Sequence, residues 1–259
     1  MQAPAAPNAM AQTACAVLDR LRGQAPRVHC ITNTVAQNFT ANALLALGCV
    51  PSMTLSPEEI AGFVAGSDAL LVNLGTFDAE RRQATELAVQ AARAAALPWV
   101  LDPVFVERSL PRAGFARALI QRGPRAVRLN RAEFVTLAGA DPTPGELAAF
   151  ARGGKTVVGL SGETDIVADG ERLARIANGH PLMARVTAMG CAASAVTAAC
   201  LAAERDAFMA AAAAMLIVGV AGEIAGEQAR GPGSFATAMI DALYGLDGGA
   251  LKHHARVTP

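Results

Sequence analysis

Short apolar runs that stop at a polar residue or a glycine, alternating with stretches of helical periodicity, constrain this chain more than any other feature. The runs lie at Arg27 to Thr32, Cys49 to Met53, Ala69 to Leu74, Trp99 to Asp102, Ala126 to Asn130 and Thr156 to Ser161. Between them, helical patterns cover Val35 to Leu47, Pro57 to Ala65, Asp78 to Ala96, Ala113 to Arg122, Arg131 to Ala138 and Glu146 to Arg152. Strands that alternate with helices in this way pack as an open, largely parallel sheet covered on both sides. Asp165 to Ala177 breaks the alternation, because Asp169-Gly170 between two apolar runs marks a tight antiparallel hairpin. The C-terminal part reads as helix again, over Cys191 to Ala203, Ala207 to Gln228 and Phe235 to Leu243. The expectation is therefore an α/β fold of three layers, α/β/α, with a small antiparallel hairpin. It forms one domain over residues 1–259, with frayed tails at 1–8 and 252–259.

Charge narrows the function. With 22 basic and 22 acidic residues and a charged fraction of 17%, there is no basic field to hold nucleic acid. The 53% hydrophobic content exceeds what a monomer's core needs, so apolar helix faces are available to another subunit. Cys15, Cys30, Cys49, Cys191 and Cys200 show neither a C-x-x-C pair nor a partnering histidine spacing. That pattern excludes a zinc site and a disulfide framework and suits a reducing cytoplasm. Met1 to Asn8 lacks the basic and apolar regions of a secretory signal. Of two uncharged runs, Ala207 to Gly222 falls short of the roughly 20 residues a bilayer requires, and Val186 to Ala203 is diluted by Thr, Gly and Ser. Joined across Glu204, Arg205 and Asp206, they read as a buried helical hairpin, not a membrane one.

In such sheets ligands lie beyond the carboxyl ends of the strands. Thr32-Asn33, Asn73, Asp102, Asn130 with Glu133, and Ser161 close their respective runs and should face one crevice. Several motif-like stretches fail on context. Gly154-Lys155-Thr156 lacks the P-loop's first glycine, which is Ala149, and it precedes a strand. Gly159-Leu160-Ser161-Gly162-Glu163 has glutamate where a nucleophile elbow needs glycine. Gly231 to Ala236 follows a helix and is stiffened by proline, so it reads as a loop whose Ser234 caps the last helix. What remains is Val186-Thr187-Ala188-Met189-Gly190-Cys191, opening a small-residue helix. Amides at such a helix start can receive the charge of a transferring phosphoryl group, and a cysteine placed there should have a lowered thiol pKa. The alternative is a buried cysteine that merely begins a packed helix, and spacing alone favours it.

Val28-His29-Cys30-Ile31-Thr32-Asn33, continued by Asn38-Phe39-Thr40-Ala41-Asn42 and Leu44-Leu45-Ala46-Leu47-Gly48, resembles the N-terminal signature of hydroxyethylthiazole kinases, ribokinase-fold enzymes of thiamine salvage. Similar segments follow in the family's order: Val50 to Met53, Asn73 to Thr76, Leu101 to Val104, Ser161 to Asp165, Asn178 to Leu182 and Gly231 to Phe235. The resemblance spans about residues 25–246 and implies a ribokinase-like fold, ATP as co-substrate, Mg²⁺, a thiazole alcohol as acceptor, and a homotrimer with active sites between subunits.

Carried over residue by residue, the resemblance places Met53 against the thiazole, with Asn33 and the Ala188 amide in the same substrate pocket. Arg128, Ser161 and Thr187 fall on the ATP side, and Asp102 and Glu133 near the metal. Gly190 and Cys191 stand beside the reacting alcohol. Read without the family, Met53 is equally a core filler, Arg128 a surface ion pair, Ser161 a strand-end cap, and the carboxylates solvated or capping. The chain departs from the family where Ala188-Met189 replaces a glycine and a small residue. Alanine keeps the donor but is expected to resist the backbone angle. Phe105-Val106 replaces a glycine-rich turn, Leu129 replaces a glycine, and the helix between Asp141 and Lys155 is expected to be truncated. Two other readings are a kinase of another alcohol, such as a hydroxymethylpyrimidine, and a catalytically impaired thiazole-binding protein.

Overall fold

A computed structural model describes residues 7–258. The strands are β1 (Arg27–Ile31), β2 (Val50–Ser52), β3 (Ala69–Asn73), β4 (Trp99–Asp102), β5 (Ala126–Asn130), β6 (Val157–Ser161), β7 (Asp165–Ala168), β8 (Leu173–Ile176) and β9 (Val257–Thr258). The helices are α1 (Pro7–Gln24), α2 (Gln37–Ala46), α3 (Ile60–Ala65), α4 (Ala79–Ala94), α5 (Leu110–Ile120), α6 (Arg131–Ala138), α7 (Pro144–Gly154), α8 (Met189–Ala203), α9 (Ala207–Gln228), α10 (Pro232–Gly245) and α11 (Gly248–His254). The strands form one sheet in the order β2-β1-β3-β4-β5-β6-β7-β8-β9. The first six are parallel and the last three antiparallel.

Successive side chains of a strand point to opposite faces, so each inner strand feeds two cores. Leu71, Val100 and Ala126 join one core with α1, α2, α8, α9 and α10. Leu70, Val72, Leu101 and Val127 join another with α3 to α7. Burial on both faces explains why these strands read as unbroken apolar runs. Alanine dominates α8 and α9 because they pack against each other and the sheet at close range, which small side chains allow.

Several elements differ from expectation. Helix α1 was absent from the reading, although Met10, Ala14, Val17, Leu18 and Leu21 form a buried stripe at helical spacing. Helix α5 begins at Leu110 because the Ser109 hydroxyl accepts from the Arg112 amide. Helix α7, capped by Thr143, runs 11 residues, past both ends of the Glu146 to Arg152 pattern. Gly231, not Ser234, is the N-cap of α10; the Ser234 hydroxyl sits inside the first turn and accepts from the Arg230 amide at 2.9 Å. The tail expected to fray at Lys252 is ordered, since α11 runs to His254 and β9 pairs with β8. Of the segment 1–8, residues 1–6 lie outside the described residues, as does Pro259.

Helix α9 has the bounds its periodicity implies, Ala207–Gln228, and at 22 residues it is long and apolar enough to cross a membrane although its uncharged run ends at Gly222. Yet 83% of its most apolar window is buried inside the fold, against α1, α8 and α10.

Candidate active site

Chain order reverses between β1 and β3, which are neighbours in the sheet although β2 separates them in sequence. Strands leaving such a point diverge and open a crevice at their carboxyl ends. Two asparagines span it: the Asn33 side-chain amide donates to Asn73 Oδ1 at 3.3 Å and to the Cys191 sulfur at 3.4 Å. Asn73 ends β3 in register with Asp102, the last residue of β4, and its amide donates to Asp102 Oδ2 at 2.7 Å. The Ser194 hydroxyl, one turn into α8, donates to the same oxygen at 2.8 Å. Asn33, Asn73, Asp102, Cys191 and Ser194 therefore form one connected polar cluster. Gly75 is obligatory beside it, because a Cβ there would lie 2.6 Å from the Asn33 amide nitrogen.

The cluster's electrostatics follow from burial. Asp102 is 6% exposed, and desolvation, reinforced by the Glu133 charge, pushes its carboxyl up to about 7 against the pull of Arg128, Ser194 and Asn73. The Cys191 thiol is pushed up to about 11 by burial and then by Asp102. This corrects the expectation of a lowered thiol pKa: the helix terminus is present, but desolvation and a neighbouring carboxylate outweigh it.

Helix α8 starts at the cluster. Ala188 is its N-cap, at φ 71° and ψ −2°, and no side chain caps the helix. An alanine therefore does adopt the left-handed backbone that the sequence led one to doubt. The first amides of α8 have no intrahelical acceptor and sum to a partial positive charge. The guanidinium of Arg128, from β5, donates to the Gly190 carbonyl at 3.2 Å, while its Nε is buried without a partner.

On the far side of Arg128 lies a cavity of about 710 Å³. It is lined by Ser161, Gly162, Glu163 and Asp165, by Ala177 to Pro181 with Met183 and Ala184, and by Met189, Gly190, Met215 and Gly219 among others. Burial raises the Asp165 carboxyl above its usual range, with Arg128 opposing. The Ser161 hydroxyl donates to the Leu129 carbonyl at 3.2 Å, so the strand-end contact and the cavity lining coexist in one residue.

Glu133 caps α6 and also reaches the turn after β4. One oxygen accepts from the Asn130 amide at 2.8 Å, closing a capping box with Asn130, and the other accepts from the Phe105 amide at 2.9 Å. The turn after β4 keeps the shape a glycine would give it, with Val104 at φ 31° and Phe105 at φ 56°. Glu133 and Arg112, which donates to the Val104 carbonyl at 2.7 Å, hold this strained turn.

Thus the crevice gathers Asn33, Ala188, Gly190, Cys191, Arg128, Asp102, Glu133 and Ser161. Met53 is half-buried against the core beyond β2, and Thr187 is exposed; neither has a hydrogen bond or cavity contact tying it to the rest. Sequence reasoning assigned no role to Ser194, whose signal is a polar residue at the i+4 position from Gly190 in an otherwise apolar helix. Asn73 faces the crevice as its place at the end of a run implies, whereas the sequence marks Asp165 only as a member of a segment.

The family model described as "Hydroxyethylthiazole kinase family" matches residues 18–248. A probable hydroxyethylthiazole kinase of Agrobacterium fabrum is 46% identical over 248 residues, covering 95% of each chain. The hydroxyethylthiazole kinase of Granulibacter bethesdensis is 44% identical over 253 residues, 93% of this chain and 92% of that one. Among solved structures, a hydroxyethylthiazole kinase protein from Pyrococcus horikoshii OT3 superposes with TM-score 0.92 at 34% identity, covering 95% of this chain and 98% of that one. A ribokinase-like superfamily protein of Enterococcus faecalis shares the fold at 13% identity and TM-score 0.67, covering 86% of this chain and 88% of that one. Match length, identity and fold agree with the polar cluster at the α8 terminus: the chain belongs to the hydroxyethylthiazole kinase family.

Proposed function

We propose that this protein transfers the γ-phosphoryl group of ATP to the hydroxyl of 4-methyl-5-(2-hydroxyethyl)thiazole, giving the phosphate ester used in thiamine salvage. The observation that carries the reading is the uncapped start of α8, set between the Asn33–Asn73–Asp102–Cys191 cluster and the cavity beyond Arg128. The alcohol would sit at the cluster and the nucleotide in the cavity. The hydroxyethyl oxygen forms the new bond to phosphorus as the bond to the β-phosphate oxygen breaks, and ADP leaves. Arg128 and the amides of Ala188 to Cys191 face the charge that spreads over the moving group.

A loose transition state demands little of a base. Within the cluster, Asp102 titrates near neutrality and can take the alcohol's proton, whereas Cys191 keeps its own and serves as a hydrogen-bonding thiol. The donor set fits magnesium in its phosphate-borne form, which needs only one or two carboxylates plus water and phosphate oxygens. The described residues hold no group of three or more Asp, Glu, His or Cys suited to a metal cage. Asp102 and Glu133 would hold the ion, Glu133 through a lone pair its present donors leave free and Asp102 through water of the ion's shell, which leaves its carboxylate open to the alcohol's proton. Bound there, magnesium would neutralise the phosphate oxygens.

Met53 would meet the thiazole in a trimer, as a single domain in the cytoplasm. Exposed Val35, Leu45, Val50 and Phe63 support this, for they offer apolar area to another subunit, and Val50 on the edge strand β2 shares a groove with Phe63. Light scattering on the purified protein would test the trimer.

Incubation with ATP, Mg²⁺ and the thiazole alcohol should yield the phosphate ester, with hydroxymethylpyrimidine a poorer acceptor. Preference for the pyrimidine would reassign the substrate. Calorimetric binding of the thiazole alcohol without turnover would refute the kinase reading.

A further inference from the structure

The cavity wall formed by residues 177–184 is irregular backbone with no sheet or helix of its own to hold it beyond a short 3-10 turn at Pro181–Arg185. Such a segment must be fixed by tertiary contacts. Two independent features of α9 fix it. The first is a row of glycines on one helical face. A Cβ on Gly219 would lie 2.8 Å from the Asn178 carbonyl oxygen, one on Gly222 2.6 Å from the Met183 sulfur, and one on Gly226 2.4 Å from the His180 ring. The spacing of three and then four residues puts all three under the same wall.

The second feature is Glu223, whose side chain is 12% exposed on that same face. Its Oε1 accepts from the Asn178 side-chain amide at 3.0 Å, from the Gly179 amide at 3.1 Å, and from the Arg256 guanidinium. Its Oε2 lies 3.4 Å from His254 Nδ1. Arg256 also donates to the Ala177 carbonyl at 2.6 Å, and its own amide donates to Asn178 Oδ1 at 2.8 Å. One largely covered carboxylate thus ties together α9, the start of the cavity wall and the C-terminal segment. Ala177, Asn178 and Gly179 all line the cavity, but Glu223 does not.

We infer that Glu223, acting through Asn178 and Gly179, is a positioning residue for nucleotide binding. It sets the wall against which the nucleotide packs and leaves the alcohol's cluster untouched. The inference rests on the proposal that this cavity is the nucleotide site. It places a determinant of ATP affinity on the face of α9 behind the wall, with Arg256 as its partner from the C-terminal segment.

Steady-state kinetics with each substrate varied in turn provide the test. Glu223→Ala should raise KM for ATP about tenfold, the effect of about 1.4 kcal/mol expected when buried donors lose their acceptor. The KM for the thiazole alcohol and kcat should stay within about twofold of wild type, because the cluster at Asn33 and Asp102 shares no partner with Glu223. Glu223→Gln keeps a carbonyl oxygen for Asn178 and Gly179 and should recover most of the ATP affinity. Gly219→Ala, which displaces Asn178 through its backbone, should reproduce the ATP-selective defect by an independent route. Should Glu223→Ala fail to fold, Arg256→Ala, at an exposed residue, should show a smaller defect of the same selectivity. An unchanged KM for ATP in these variants, or an equal rise for both substrates, overturns the inference. Hydrogen exchange separates it from the reading beneath it: ADP should protect the amides of residues 177–184 in the wild-type protein. Absence of that protection refutes the cavity assignment, whereas protection alongside an unchanged KM refutes only the role of Glu223.

Discussion

Ala188→Gly tests whether the backbone at the start of α8 is already the one the chemistry requires. Ala188 sits at φ 71° and ψ −2°, in the left-handed region, where a Cβ crowds the following carbonyl. The conformation costs about 1–2 kcal/mol for a residue with a Cβ. Glycine removes that cost but adds backbone freedom to the unfolded chain, an offset of about 0.5–1 kcal/mol. The balance spans about 0–1.5 kcal/mol, with about 0.5–1 kcal/mol at its centre. For a chain of this size, 1 kcal/mol moves the melting temperature by about 2–4 °C, so the variant should melt about 1–4 °C higher. Because the peptide plane does not have to turn, kcat and both KM values should stay within about twofold. Ala188→Val, with a β-branched side chain in the same conformation, should melt lower than wild type. Differential scanning calorimetry and steady-state kinetics on the three proteins read both quantities. A melting temperature for Ala188→Gly at or below wild type would refute the strain argument. A rise in kcat of tenfold or more would mean that the alanine backbone misplaces the amides and that the wild-type protein is catalytically impaired.

Arg128→Ala removes the guanidinium between the cavity and the Gly190 carbonyl, and should raise KM for ATP and lower kcat together, by about 10²-fold in kcat/KM, with little effect on binding of the thiazole alcohol. Asp102→Asn should uncouple stability from pH. The native carboxyl titrates near 7, above its ordinary value, so between about pH 4 and 7 the folded state holds more protons than the unfolded one. This contribution of Asp102 to wild-type stability therefore falls as pH rises through that window and levels off above it, whereas the variant lacks it and its profile should slope less steeply downward there, with a higher melting temperature at pH 8 and lower activity. Cys191→Ser should keep activity within about tenfold, and the wild-type pH–rate profile should show no thiol ionisation below pH 9, since the thiol is held up to about 11. A loss of about 10³-fold or more would make the cysteine an essential group and overturn its assignment as a hydrogen-bonding thiol. Glu133→Gln should lower the melting temperature by weakening the cap of α6 and releasing the Phe105 turn, and should raise the magnesium requirement in the same kinetic assay.

Local chemistry made much of this protein legible. Each inner strand is apolar along its length because both faces are covered, so β1, β3, β4, β5 and β6 could be read within a residue or two of their ends. The capping residues Asn130 and Asp78 and the Asp169-Gly170 turn act over a few residues and announce themselves in the same way. Helix α1 carries a readable apolar stripe, while the β9 pairing has almost no signal. Two residues gain their strand identity only from β8 beside them.

What residue order alone determined here is the set of parallel strands and the polar groups that end them, because helical and strand periodicities arise between near neighbours. Only the tertiary structure decided what those groups do. Cys191 stands at a helix start, which by itself lowers a thiol pKa, yet burial beside Asp102 raises it. Glu223 looks like an ordinary helical glutamate until Asn178, Gly179 and Arg256, distant in the chain, converge on it. Desolvation and convergence depend on which segments the folded chain places side by side, and no local pattern encodes that.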